Sequence, residues 1–258
     1  MSSMLSTIEL KDAFTQSGCP ICTISQEEAF RYINHLLWEN VNDLETRLRI
    51  FASLGYCPRH TELLAFTELT RFGSAMKISI IYESLIQVVV NRLLTWHPIK
   101  MKPKWSLLFH DWVYRLGFSR RSKPRLTVIT VGSTCCVCQI ADDSAKFALA
   151  TLLEELNARF DIWSQHFMVS DGLCLAHLRF CLQEYGDQYP DTVQYLVRDT
   201  IQRLNNRRSR MNEYIRKLTW EARHERITEQ EYHSWQETLA FFTGYPSSHF
   251  NIDGKEEK

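Results

Sequence analysis

Two cysteine–histidine groupings recur along this 258-residue chain, and no other feature restricts its folding as tightly. Cys19-x₂-Cys22 is followed 35 positions later by Cys57-x₂-His60, and Cys135-x₂-Cys138 is followed 36 positions later by Cys174-x₂-His177. A glycine stands two places before each Cys-x₂-His, at Gly55 and Gly172. In Cys-x₂-Cys a tight turn aims both sulfurs at one centre. Cys-x₂-His at a helix start puts two more ligands within one turn, enough to complete a tetrahedron with bonds of about 2.0–2.3 Å. Each glycine is expected to supply a positive-φ turn or a close backbone approach.

Pair, gap, glycine and histidine recur in order, which is an internal repeat. The expectation is a Cys₃His site in each half: Cys19, Cys22, Cys57 and His60, then Cys135, Cys138, Cys174 and His177. In each half a helical hairpin would bring the two pairs together. Exchange of ligands between the repeats is left open by the spacing alone. The metal expected is structural zinc, two ions per chain, with an iron–sulfur cluster as the alternative for the same ligand types. A closed four-ligand site leaves no position for a reactive water, which argues for architecture over hydrolysis. Cys136 reads as a bystander beside Cys135, and Cys181 as a core thiol.

The apolar fraction of 45% and charged fraction of 23% describe a globular chain, and only nine Gly and seven Pro favour helices over turn-rich strands. The fold class expected is all-α: two repeated metal-stapled helical units with a long C-terminal helical segment. Boundaries are set at 1–97 for the first unit, 98–131 for a basic connector, 132–185 for the second unit and 186–258 for the C-terminal helices. Ser25 with Glu28 has the form of a capping box ahead of a stripe at Ala29, Ile33, Leu36 and Leu37. Helices are also expected from Leu44 to near Gly55, from Cys57-Pro58 to Gly73, and over 78–94. The second half offers a helix bearing Leu149, Leu152, Leu153 and Leu156, then one opened by Cys174. An amphipathic run from Asp191 to about Arg223 would span roughly 50 Å if unbroken. A last helix is bracketed by the Thr228/Glu231 capping box and Gly244.

The strings CPIC, WENVND with Arg47 after it, GYCPRH, GLCLAH and RKLTWEARHERITEQE…FFTG resemble an uncharacterised bacterial family known only as a domain of unknown function. The resemblance covers most of the chain and is most specific in the two metal motifs. CCVC stands at 135–138 where the family pattern has CPxC, so the ligand pair is intact and the proline is lost. Membership implies a bacterial cytosolic protein and supplies no activity.

Glu39, Asn40, Asn42, Asp43 and Arg47 form the most polar cluster near the first pair. They read either as a small-ligand site with a carboxylate orienting His60, or as a cap by Asn42 or Asp43 of the helix starting at Leu44, with an Asp43–Arg47 pair. The connector carries Lys100, Lys102, Lys104, Arg115, Arg120, Arg121, Lys123 and Arg125 against one acid, Asp111, with a short helix expected over 105–116 and a strand over 126–131. Nucleic acid is therefore a candidate partner between Lys100 and Arg125, beside an unknown protein partner. Arg203, Arg207, Arg208, Arg210, Arg216 and Lys217 read as the solvated face of the long helix. His110, His166, His224 and His233 lack ligand-spaced cysteines.

Lys+Arg and Asp+Glu balance at 30 each, so no global field recruits nucleic acid or lipid. The first residues lack the pattern of a secretory signal, and the most apolar stretch is broken by Glu83 and Arg92, too soon for a membrane span. A cytoplasmic location follows as the expectation, where clustered thiols suggest metal before disulfides. No GxSxG, P-loop, GxGxxG or HExxH occurs, so no catalytic residue is assigned. The function expected is a zinc-binding helical protein acting as a binding or scaffold module, with iron–sulfur or thiol-redox chemistry and nucleic-acid binding as alternatives.

Overall fold

The computed structural model describes residues 2–94 and 134–250. The connector, with its expected helix over 105–116, strand over 126–131 and nucleic-acid stretch, lies outside the described residues, as does the tail from 251.

Among the described residues there are ten α-helices and no strand. They are α1 (Ser2–Phe14), α2 (Pro20–His35), α3 (Leu44–Ala52), α4 (Pro58–Phe72), α5 (Met76–Leu94), α6 (Cys136–Ala158), α7 (Phe160–Val169), α8 (Leu175–Tyr185), α9 (Pro190–Lys217) and α10 (Glu229–Thr243). A π-helical turn, Leu36–Asn40, extends α2, and a 3₁₀ turn, Ser247–Phe250, follows α10. None of the described helices is long and apolar enough to cross a membrane.

The helix starts show how local chemistry sets the frame. α2 begins at Pro20, five residues ahead of Ser25, so the expected capping box there does not form. Proline at the first helical position is preorganised at φ near −65° and gives up an amide that has no partner anyway. Cys19 closes the first turn through Thr23 N at 3.1 Å, and Ser25 instead donates its hydroxyl to Ala141 O at 2.9 Å. At the matching position α6 starts on Cys136. The α3 cap is as expected: Asp43 accepts from Thr46 N at 2.8 Å. Gly73 (φ 64°) and Gly244 (φ 78°) end α4 and α10 in the left-handed conformation. Thr228 and Glu231 exchange the two capping-box bonds ahead of α10.

The chain divides into two compact units, Met1–Arg31 with Gln139–Lys258, and Tyr32–Cys138. In the first, Leu149, Leu152, Leu153 and Leu156 of α6 are fully buried with Leu10, Phe14, Ile21, Trp163 and Phe167. Each such apolar side chain contributes about 1.5–3 kcal/mol. Phe14 sits edge-on to Trp163 and Phe167 at 6.1 and 6.0 Å. Helix α9 packs on α10 and α8, and α1 on α7.

The second unit buries Ile33, Leu36, Leu37, Ile50, Leu64, Ile81 and Val137. Its α5 packs on α3 and α4, and a fully buried carboxylate fixes the start of α5: Glu68 accepts from Lys77 N at 2.6 Å and Ile78 N at 2.8 Å. These are amides of the first turn of α5, which have no acceptor within the helix.

Two sequence expectations fail in instructive ways. The long amphipathic helix ends at Lys217 rather than near 223, so its 28 residues span about 42 Å. Lys217 reaches Glu231 at 2.7 Å and Arg226 O at 3.0 Å, and Arg216 reaches Glu225 at 2.6 Å, tying down the turn that returns the chain as α10. Nor do all the cations from Arg203 to Lys217 lie on a solvated face: Arg208 and Arg216 are exposed, but the others are buried or partly so. Arg207 is buried, Arg203 is partly so, and Arg210 makes a two-pronged pair with Glu237 at 2.5 and 3.1 Å.

Candidate metal centres

Each helix start that carries ligands is built by the same device. Cys19 and Cys135 stand just before the first residue of α2 and α6, so Cys22 and Cys138 lie in the first turn. Cys57 and Cys174 are the N-cap residues of α4 and α8, in extended conformation, with His60 and His177 one turn on. Gly55 (φ 99°) and Gly172 (φ 80°) make the turn into each Cys-x₂-His, as their positions suggested.

The eight ligand candidates gather into two quartets, but not one per half of the sequence. Cys19 and Cys22 meet Cys174 and His177, and Cys57 and His60 meet Cys135 and Cys138. The helices between the pairs are unequal: from Cys22 to the end of the π-turn the chain runs about 27 Å at 1.5 Å per residue, while the nine-residue α3 spans about 14 Å. In the second repeat, α6 is 23 residues and α7 ten.

The distances within the quartets are those of ligands around one small ion. In the first, Cys22 Sγ lies 3.7 Å from Cys174 Sγ. His177 Nδ1 lies 3.5, 3.4 and 3.3 Å from the sulfurs of Cys19, Cys22 and Cys174. In the second, Cys57 Sγ lies 3.6 Å from Cys138 Sγ. His60 Nδ1 lies 3.2, 3.6 and 3.3 Å from Cys57, Cys135 and Cys138. A tetrahedral zinc with bonds of about 2.3 Å to sulfur and 2.0–2.1 Å to nitrogen separates sulfurs by about 3.8 Å and sulfur from nitrogen by about 3.6 Å. Three sulfurs and an imidazole also match the donor preference of that ion.

Protons are shared within each quartet. Hydrogen bonds from Cys19 and Cys22 hold the Cys174 thiol far below its usual range, while those with Cys174 and Cys19 push Cys22 up. Burial opposes a charge on His177, but Cys174 and Cys19 outweigh it and raise its pKa to about 10. Burial and Cys57 push Cys138 up to about 12. A cation bound among these groups displaces their protons.

Around the first quartet are residues that the sequence reading missed. Asp171 Oδ2 accepts the Gly18 amide at 2.6 Å, joining the backbones of the two ligand loops. Arg207 donates to Asp171 O at 3.1 Å and Arg203 to Ser170 O at 2.6 Å. Gly244 comes so close that a Cβ there would lie 2.9 Å from Cys22 Sγ. A lone Asp before a glycine reads as an ordinary turn residue; only its place three residues before Cys174 hinted at more.

The remaining candidates serve the frame. Asn40 bonds His35 at 2.8 Å, and Glu39 lies 3.5 Å from His35. Arg47 donates to Val41 O, Asn42 Oδ1 and Ser84 Oγ at 2.9, 3.0 and 2.9 Å, rather than pairing with Asp43. This cluster knits the π-turn to α3 and α5. Among the described residues no carboxylate of this group is found bonded to His60. Cys136, whose thiol pKa burial raises, lies 3.8 Å from Tyr32 Oη, and Cys181 is fully buried; neither belongs to a quartet.

Together these features define an all-helical protein with two Cys₃His clusters able to hold metal ions. The chain belongs to DUF6062, a family of unknown function, whose model matches residues 1–220. Helix α10 and Gly244 therefore follow the matched stretch. No curated protein and no solved structure matches the chain.

Proposed function

We propose that this is a zinc-binding helical protein whose two structural ions staple a binding or scaffold module of the bacterial cytoplasm. The ligands assigned are Cys19, Cys22, Cys174 and His177 for one ion, and Cys57, His60, Cys135 and Cys138 for the other. The observation that carries this reading is the spacing within each quartet, whose four ligand atoms lie within 4.8 Å of one another. The four ligands of an iron–sulfur cluster are spread over two or more iron atoms, so they do not all stand as close together as four ligands sharing one ion. A four-ligand set of this kind is closed, so the metal serves the fold and leaves no coordination site for substrate. Reducing conditions of the cytoplasm keep such thiols available.

Metal analysis of anaerobically purified protein tests the assignment. Two zinc ions per chain and no visible absorbance are expected, with one ion lost in Cys57→Ser. Iron with acid-labile sulfide, or unchanged metal content in that variant, would overturn it.

A further inference from the structure

Helix α10 and the turn after it lie beyond residues 1–220, the stretch that the family model matches, yet they reach the first quartet. Lys217 and Arg210 of α9 hold α10 by Glu231 at 2.7 Å and by Glu237 at 2.5 Å. In turn α10 packs on α8, the helix that carries Cys174 as its N-cap and His177 one turn on. Only about 10 Å³ of free space remains where Ala240 and Phe241 meet Cys19 and Cys174.

Past α10 the chain crosses the ligands at two glycines. A Cβ on Gly244 would lie 2.9 Å from Cys22 Sγ and 3.7 Å from Cys174 Sγ, so Gly244 sits over the edge that those two sulfurs define. On Gly18, next to Cys19, a Cβ would meet Pro246 Cα at 3.2 Å. The turn folds back onto its helix, Gln236 donating to Phe250 O at 3.3 Å. A solvent-open cavity of about 290 Å³, bordered by Cys22, Gly244 and Pro246, runs beside the crossing.

A Cβ at 2.9 Å from a sulfur forces one of the two to move. A free thiol yields easily, by turning about χ1 into another staggered well. A sulfur held by an ion at about 2.3 Å has no such freedom. The bare Cα at Gly244 is therefore a requirement of the metal-bound geometry as well as of the helix stop. We infer that segment 229–250 is a strap over the first metal centre, with Gly244 as its positioning residue, and that seating of the strap and binding of that ion stabilise each other. This rests on the reading of Cys19, Cys22, Cys174 and His177 as a zinc site. What the ion gains from the seated strap the strap gains from the ion, because such coupling is reciprocal.

The test sets full-length, zinc-loaded protein against a chromophoric chelator. Gly244→Ala should weaken one of the two ions by at least about tenfold, the scale of a methyl forced into a filled site, and leave the other unchanged. Added to Cys57→Ser, it should weaken the zinc that remains. Gly73→Ala is the control. Gly73 ends α4 in the same left-handed region (φ 64°) with nothing within 4 Å of its would-be Cβ, so both ions should stay as in the wild type. Gly244→Asn relieves the backbone strain, since asparagine tolerates the left-handed state, but adds the same Cβ and should weaken the ion as Gly244→Ala does. Hydrogen exchange reads the coupling in reverse: His177→Gln, which removes a ligand on α8, should quicken exchange at 240–250 by at least about tenfold. Equal zinc affinities in Gly244→Ala and Gly73→Ala, wild-type affinity in Gly244→Asn, or unchanged exchange at 240–250 in His177→Gln would each overturn the inference. Should the Gly244 variants fail to fold, exchange in His177→Gln decides. Fewer than two zinc ions bound by the wild type at the outset would instead defeat the zinc assignment itself.

Discussion

The two quartets are near copies in donors and spacing, but the described residues around their Cys-x₂-His turns are of different kinds. Around Cys174 and His177, the loop residue Asp171 accepts the Gly18 amide, Arg203 and Arg207 of α9 donate to the carbonyls of Ser170 and Asp171, and Arg207 pairs with Glu237 of α10. Around Cys57 and His60, Ser53 Oγ donates to Gly55 O at 2.8 Å, Leu85 of α5 packs on Gly55, and the Thr61 and Tyr82 hydroxyls pair at 3.3 Å. The contrast teaches that a repeated ligand motif fixes which side chains can meet and leaves the residues around them free to differ.

Chelation should break the comparison most severely. Structural zinc contributes about 10–16 kcal/mol in small zinc-dependent folds. Removing both ions should abolish the cooperative melt seen by circular dichroism in the loaded protein. A melt unchanged by chelator would mean that apolar packing alone holds both units. Next in size is Arg207→Ala. It strips the buried guanidinium from Asp171 O while Glu237 keeps Arg210, and losing a hydrogen bond from a charged group costs about 1.5–3 kcal/mol. In calorimetry the loss should fall on the unit of the first quartet.

Glu68→Ala is the counterpart in the other unit. It leaves the amides of Lys77 and Ile78 without their buried acceptor, at about 1–3 kcal/mol, and hydrogen exchange should quicken at the start of α5. The smallest effect expected is that of Thr228→Ala, about 1 kcal/mol for the lost cap of α10, read as a lower denaturation midpoint with both metals retained.

Acid offers a further separation. The metal-free His177 holds its proton up to about pH 10 and Cys138 up to about 12. Near neutral pH, zinc binding must therefore expel protons, and affinity should fall as pH falls. Titration calorimetry in buffers of different ionisation heat should show proton release at both quartets.

The sequence was legible wherever the determinant is local. The caps at Asp43 and Thr228, the stops at Gly73 and Gly244, and the turns at Gly55 and Gly172 each depend on a few adjacent residues. The ligands themselves were legible for the same reason. Their partnering was not, because both pairings satisfy one spacing, and the choice is made by contacts far apart in the chain. Helix α7 went unread: it is short, Arg159 at its N-cap makes no side-chain cap, and Phe160, Ile162, Met168 and Val169 are exposed, which blurs the apolar stripe. The start of α2 was misplaced because Ser25 and Glu28 imitate a cap, while Pro20 sets the true start. The α9 arginines show a limit of charge patterning, since a guanidinium that clamps a loop and one that faces water look alike in sequence.

The exchange of ligands between repeats also sets a timetable for synthesis. Cys22 and Cys174 are 152 positions apart. At about 5–20 residues per second, about 8–30 s pass before the first cysteine pair meets its partners. Cys57 waits only for Cys138, 81 positions on, so the site written second in the chain is the first that can close. For that interval Cys19 and Cys22 stand as an unpaired dithiol on the growing chain, and the oldest ligands of the molecule are the last to be used.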